Sequence, residues 1–219
     1  LPEQTLAMAL RDVEQAIALQ PQHLSHYQLT LEPNTLFAAK PPQGIPEMDD
    51  AWDMQERCIE LIQAHGYGQY EVSAYAKPGK RCQHNLNYWQ YGDYLGIGAG
   101  AHGKISSGES GKILRRWKPK HPETYITSAG TSAGIGGDEC ITEANRPFDY
   151  MLNALRLHDG FSLNDFEYRT GLSRTAIQSE LQKAISEQWL QQHGDWIKPT
   201  ELGMRFANDV MGLFLKAEK

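Results

Sequence analysis

The sequence predicts an α/β fold with a parallel sheet, followed by a small helical winged-helix-like domain. Two observations carry the first part. Helix-type and strand-type periods alternate from the N-terminus in the order helix, strand, helix, strand. Most joints between them are only a few residues long, the signature of βα units. A third observation carries the second part: from Phe161 onward the pattern becomes helix, helix, short hairpin, helix.

Each element has its own local reason. Leu6, Ala9, Leu10, Val13, Ala16 and Ile17 keep a helical period, so 3–19 reads as a helix that Pro21 stops. "HLSHYQLTLEP" (23–33) is rich in Leu, Tyr and Thr and reads as a strand. A loop with Pro41, Pro42, Gly44 and Pro46 follows. Trp52, Cys58, Ile59, Leu61 and Ile62 mark a helix over 47–65, closed by His65-Gly66 as a glycine C-cap. "YGQYEVSAYA" (67–76) reads as the next strand. "KISSGESGKILRRWK" reads as a hairpin with a glycine-rich turn. "TSAGTSAGIGGDE" (127–139) reads as a small-residue linker before a helix over 142–157. Ser173 and Thr200 are expected N-caps in the last part. The domains expected are 1–110, a hairpin and linker over 111–145, and the winged-helix-like part over 146–219.

Composition bounds the function. A net charge of −6 argues against a broad nucleic-acid face, although Lys112, Arg115, Arg116, Lys118 and Lys120 form a local basic run. Cys58, Cys82 and Cys140 fit no metal-binding spacing and no disulfide framework, so a reducing cytoplasm is expected. No apolar run approaches the roughly 20 residues that span a bilayer, and no signal peptide is expected. The chain begins without Met in a helix lead-in, and is expected to be a piece of something longer or a processed product.

The stretch "HNLNYWQYGDYLGIGAGAHG" (84–103) carries the chemistry. On a helical turn His84 and Tyr88 share a face at i and i+4. A neutral imidazole is a good iron ligand. Tyr88 and Trp89 can flank a flat apolar ring system, with Asn85 fixing the turn. The alternative is that Tyr88, Trp89, Tyr91 and Tyr94 are core aromatics and that His84 and Asn85 cap the helix. Tyr94, Leu95 and Ile97 read as strand-like, and Gly96, Gly98 and Gly100 clear one face of it. That suggests a cofactor lying against bare backbone, or tight packing against a neighbour. It is not a dinucleotide fingerprint, since no helix or downstream acid follows. Glu71 with Ser73, and Tyr27 with Gln28 and Thr30, can point into a site or merely serve hairpin and solvent contacts.

These residues resemble the radical S-adenosylmethionine (SAM) proteins related to oxygen-independent coproporphyrinogen III oxidase, and within them the HemW branch. The carrying stretches are "LPEQT" at 1–5, "HLSHYQLTLEPNT" at 23–35, "GYGQYEVSAYAKPG" at 66–79, and the H-N-x-x-Y-W of His84, Asn85, Tyr88 and Trp89. The resemblance implies an incomplete (β/α)6 radical SAM barrel, of which this chain is the C-terminal half plus the C-terminal domain. It implies a 4Fe-4S cluster on C-x-x-x-C-x-x-C and SAM on its open iron. Those cysteines are expected upstream, since Cys58, Cys82 and Cys140 do not match them, and Glu3 stands where the family has a glycine. By the same resemblance Thr30, Gly98, Ala101 and His102 contact SAM, and His84, Asn85, Tyr88 and Trp89 hold heme.

Two functions follow from the resemblance. One is a heme chaperone that holds heme on this portion and uses the cluster portion for dimerisation, as a homodimer, or for transfer. The other is oxygen-independent coproporphyrinogen III oxidase, which decarboxylates the propionates of coproporphyrinogen III to vinyl groups through a SAM-derived radical. The surroundings of His84 favour the chaperone, with His102 as second candidate ligand. DNA binding by the winged-helix-like part is disfavoured, because Glu180 and Glu187 offset Arg174 and Lys183.

Overall fold

A computed structural model describes residues 1–216. The chain forms two compact units, Leu1–Cys82 and the residues from Gln83 on.

The first unit holds α1 (Leu6–Ala18), β1 (His23–Ser25), α2 (Leu36–Ala39), α3 (Met48–Ala64), β2 (Gly68–Glu71) and β3 (Ala74–Ala76). The Thr5 hydroxyl caps α1 by accepting from the Met8 amide. Gly66, at φ +78°, ends α3 as the sequence predicts. One face of α1 and one face of α3 meet: Ala9 and Val13 pack with Cys58, Ile62, Tyr67 and Tyr75. The Tyr67 hydroxyl donates to the Pro21 carbonyl at 2.6 Å and so closes this core.

The strands correct the parallel-sheet expectation. The sheet order is β1-β3-β2, and both β1 and β2 pair antiparallel with β3. β1 and β2 therefore run the same way, joined by α3, with β3 inserted between them. The 67–76 stretch is two strands because the chain folds back at Val72-Ser73. There the buried Glu71 accepts from both the amide (3.2 Å) and the hydroxyl (3.0 Å) of Ser73. The 23–33 strand ends at Ser25; the rest is irregular loop, with exposed Tyr27 and Leu31.

The second unit begins with α4 (Gln83–Trp89), then β4 (His102–Ser106), β5 (Ile113–Trp117), α5 (Pro122–Ser128) and β6 (Gly137–Cys140). β4 and β5 form the expected hairpin. The small-residue linker is more ordered than its composition suggests, since its end is β6, which pairs antiparallel with β5. Next come α6 (Arg146–Ala154), β7 (Phe161–Ser162), α7 (Leu163–Thr170), α8 (Gln178–Ser186), β8 (Leu190–His193), β9 (Trp196–Pro199), α9 (Glu201–Arg205) and α10 (Ala207–Gly212). Helix α6 is shorter than the predicted 142–157. Strands β7-β9-β8 make the wing, and Ser173 and Thr200 are caps as expected. The core centres on Tyr150, Met151, Phe166, Ile177 and Ile197. Tyr150 meets Tyr91, Phe161 and Phe166 edge-on at 5.2–5.4 Å. Tyr91 ties the segment after α4 to this core.

Candidate functional site

Helix α4 is set by its C-terminal side. Tyr91 takes φ +58°, a left-handed conformation costly for a bulky residue. Gly92 follows, and an added Cβ there would meet Asn87 Oδ1 at 2.1 Å. The Gly92 amide donates to the Asn87 carbonyl (2.7 Å), and the Asn87 side-chain amide donates to the Asp93 carbonyl (3.0 Å). The helix cannot extend past this turn, so its last residues are fixed in place.

On that helix the i, i+4 expectation holds. The His84 and Tyr88 rings meet edge-on, with centroids 4.7 Å apart and planes at 86°. Tyr88 also packs on Tyr94, 4.4 Å away. His84 is exposed, and among the described residues its ring nitrogens take no hydrogen bond. Asn85 and Tyr88 are half-buried. Trp89 is turned elsewhere: its centroid is 6.3 Å from Tyr88, and the Arg156 guanidinium covers its ring at 4.3 Å. The Trp89 indole N–H is buried and meets no acceptor among the described residues. Tyr91 is a core residue, as the alternative reading of this stretch allows.

Behind the rings lies a polar network that sequence reasoning missed. The Tyr94 hydroxyl faces Arg115 Nη1 at 3.4 Å, and Arg115 Nη2 donates to Asp149 at 2.7 Å. The Tyr91 hydroxyl donates to the other Asp149 oxygen at 2.6 Å. Burial, aided by the Asp149 charge, pushes the Tyr91 phenol well above its ordinary pKa, so it stays a donor. Lys104 is 2% exposed; its ammonium donates to the Tyr91 carbonyl (3.0 Å), Asp93 (2.9 Å) and Ser106 (3.2 Å). Burial lowers the Lys104 pKa, and Asp93 opposes that shift. No periodicity announces a buried lysine in a short strand; only its neighbours in space explain it.

Within the glycine run, Gly96 takes the tight-packing alternative, whereas a Cβ on Gly98 would meet open space. Residues 94–97 are not a sheet strand: Tyr94 makes one isolated antiparallel bridge with Lys104. A Cβ on Gly96 would stand 2.4 Å from the His102 carbonyl oxygen, so this glycine permits chain-on-chain contact. Gly98 and Gly100 take φ +114° and +69°. The Gly98 amide donates to the Tyr125 hydroxyl (3.1 Å), and the Gly100 amide to the Pro119 carbonyl (2.8 Å). The Ala101 carbonyl accepts from the Lys118 amide at 2.9 Å. His102 is exposed and stacks on Trp117, 6.0 Å centroid to centroid. Thr30 belongs to the first unit, where its exposed hydroxyl donates to Glu32 at 3.0 Å.

A cavity of about 280 Å³ lies within the first unit, lined by residues that include Asp12, Leu24, His26, Met54 and Cys58. Tyr27 and Gln28 reach it; Thr30 does not. Burial lowers the His26 pKa and raises that of Cys58.

These donors sort the expected cofactors. Among the described residues no three His, Cys, Asp or Glu side chains converge to hold a metal ion. The chain's own cysteines thus do not fit an iron–sulfur cluster among the described residues. The exposed His84 imidazole, edge-on to Tyr88 and without a hydrogen bond among the described residues, is chemically suited to hold a porphyrin iron. Among the described residues no helix is long and apolar enough to cross a membrane.

Comparison with known proteins agrees with this outline. Residues 141–206 match the HemN C-terminal domain model. Heme chaperone HemW of Haemophilus influenzae is 44% identical over 218 residues, all of this chain and 55% of that protein. Heme chaperone HemW of Escherichia coli is 44% identical over 215 residues, covering 98% of this chain and 55% of that protein. The chain spans about half the length of the curated relatives it matches. The solved structure of coproporphyrinogen III oxidase (HemN) from Escherichia coli, a radical SAM enzyme, superposes with a TM-score of 0.73. That match covers 99% of this chain and 53% of the other at 16% identity, a likeness of fold. The chain is therefore similar along its whole length to the HemW proteins, carries a match to the HemN C-terminal domain, and has a mixed α/β architecture that matches the C-terminal part of the HemN fold.

Proposed function

We propose that this chain is the heme-holding portion of a heme chaperone. The observation that carries the reading is His84: an exposed imidazole on α4, edge-on to Tyr88, with no hydrogen bond among the described residues to compete for its lone pair. Two 44%-identical relatives bear the name heme chaperone HemW. In this reading His84 would hold the heme iron through its imidazole. Tyr88 braces it and offers an aromatic surface to the porphyrin, Asn85 orients the turn, and Trp89 anchors the helix through Arg156. His102, stacked on Trp117, is the second candidate ligand.

A 4Fe-4S cluster and SAM would be bound mainly by residues outside this chain, with Thr30, Gly98, Ala101 and His102 as its own contributions to SAM. A homodimer in the cytoplasm is the proposed setting. The rival reading is the oxidase acting on coproporphyrinogen III. Anaerobic assay of the reconstituted full-length protein with coproporphyrinogen III and SAM separates them: no decarboxylated product is expected. Sustained turnover to vinyl groups would remove the chaperone reading.

A further inference from the structure

We propose that Tyr94 is a positioning residue for the heme-binding helix, through contact of its ring with Tyr88. The inference rests on the heme-chaperone reading above and goes beyond it. His84 and Tyr88 sit on α4, whereas Tyr94 lies outside that helix, bridged to Lys104 on β4. The ring contacts run in series: His84 to Tyr88 at 4.7 Å, then Tyr88 to Tyr94 at 4.4 Å.

Tyr94 is held from behind. The Tyr94 backbone exchanges two hydrogen bonds with Lys104, at 3.0 and 2.9 Å. Its hydroxyl faces Arg115, which is paired with Asp149. Asp149 in turn takes the Tyr91 hydroxyl. Tyr94 is thus tied at backbone and side chain to the folded interior of its unit.

His84 has no such tie of its own: it is exposed, and Tyr88 is its one ring contact among the described residues. A ligand on an exposed helix explores several rotamers unless a neighbour restricts it. Here the restriction is the Tyr88 edge, and the Tyr88 ring is restricted by Tyr94. Groups that orient a metal-binding histidine change affinity by about 10–100-fold when removed. Tyr94 acts one contact further out, so the lower end of that range applies.

The test uses hemin titrated into the full-length protein and its Tyr94→Ala, Tyr94→Phe and His84→Ala variants, followed by the Soret band, with thermal unfolding in parallel. Tyr94→Ala is expected to bind hemin about tenfold more weakly, with the Soret band shifted from that of the parent. Tyr94→Phe keeps the ring and is expected to restore both affinity and band position. Tyr94→Leu replaces the alanine variant if the latter does not fold. A parent-like spectrum and affinity in Tyr94→Ala, while His84→Ala loses the ligated band, would overturn the positioning role and leave the heme reading standing. Equal losses in Tyr94→Phe and Tyr94→Ala would also overturn it. An unaltered His84→Ala variant would remove His84 as the ligand, and with it the role of Tyr94 in positioning it.

Discussion

The ammonium of Lys104 lies 2.9 Å from Asp93 Oδ1 and 4.0 Å from the centroid of the Tyr91 ring, with the lysine side chain 2% exposed. This pair holds together the turn that ends α4 and the strand that follows. Breaking a buried pair from one side commonly costs 3–5 kcal/mol. Asp93 keeps 42% of its side-chain exposure, so water recovers part of that loss. Lys104→Met is expected to destabilise the protein by about 2 kcal/mol in urea unfolding. The double variant with Asp93→Asn should lose less than the sum of the two single variants.

The same pair sets an acid limb. Burial raises the Asp93 pKa as the largest single influence, but bonds from Lys104 and from the amide and hydroxyl of Ser106 together bring it below the ordinary carboxylate range. A depressed folded-state value contributes stability above the unfolded value, about 3.9, and that contribution is lost as pH falls through the folded value. Lys104 has the opposite sense: its lowered pKa is a penalty while it is charged, relieved as pH rises toward the lysine range. The gap in urea midpoint between parent and Asp93→Asn should be steady from about pH 7 to pH 5 and close below about pH 4. A gap unchanged down to about pH 2.5 would contradict this.

Gly96 offers a test of close packing against cofactor cradling. A methyl group there meets the His102 carbonyl oxygen at 2.4 Å, and backbone cannot yield as a side-chain tip can. Gly96→Ala is expected to cost about 1–3 kcal/mol, the usual range for overpacking, in protein free of any ligand. A loss confined to ligand-loaded protein would instead favour a cofactor cradle at Gly96.

The winged-helix-like part should not bind DNA. Arg174 is engaged by Asp195 (2.6 Å), Asn164 (2.7 Å) and Glu167 (2.8 Å). Its hydrogen bonds hold the Glu167 carboxyl below the usual range. A cation neutralised by two carboxylates has little left for a phosphate. Gel shifts with duplex DNA should show no complex at about 50 mM salt; a salt-sensitive complex weakened by Arg174→Ala would contradict this.

Much of the local structure was legible, because caps, periods and turn residues act over a few positions. Helices α1 and α3, the β4–β5 hairpin and the caps at Ser173 and Thr200 all follow from such signals. Pairing direction was not legible. Strand β3 lies between β1 and β2 because of a two-residue reversal at Val72-Ser73, which carries no glycine or proline to mark it. The i, i+4 contact of His84 and Tyr88 was also legible, since helix geometry alone sets it. Lys104, Arg115 and Asp149 were not: they come from three elements, and only the tertiary fold unites them.

Hemin binding by the full-length protein and by His84→Ala, read from the Soret band, bears on the proposed function more closely than any other measurement. The parent should show a nitrogen-ligated band and saturable binding, and His84→Ala should lose that band and bind at least about tenfold more weakly. Identical spectra and affinities in the two proteins would mean that α4 does not carry the ligand.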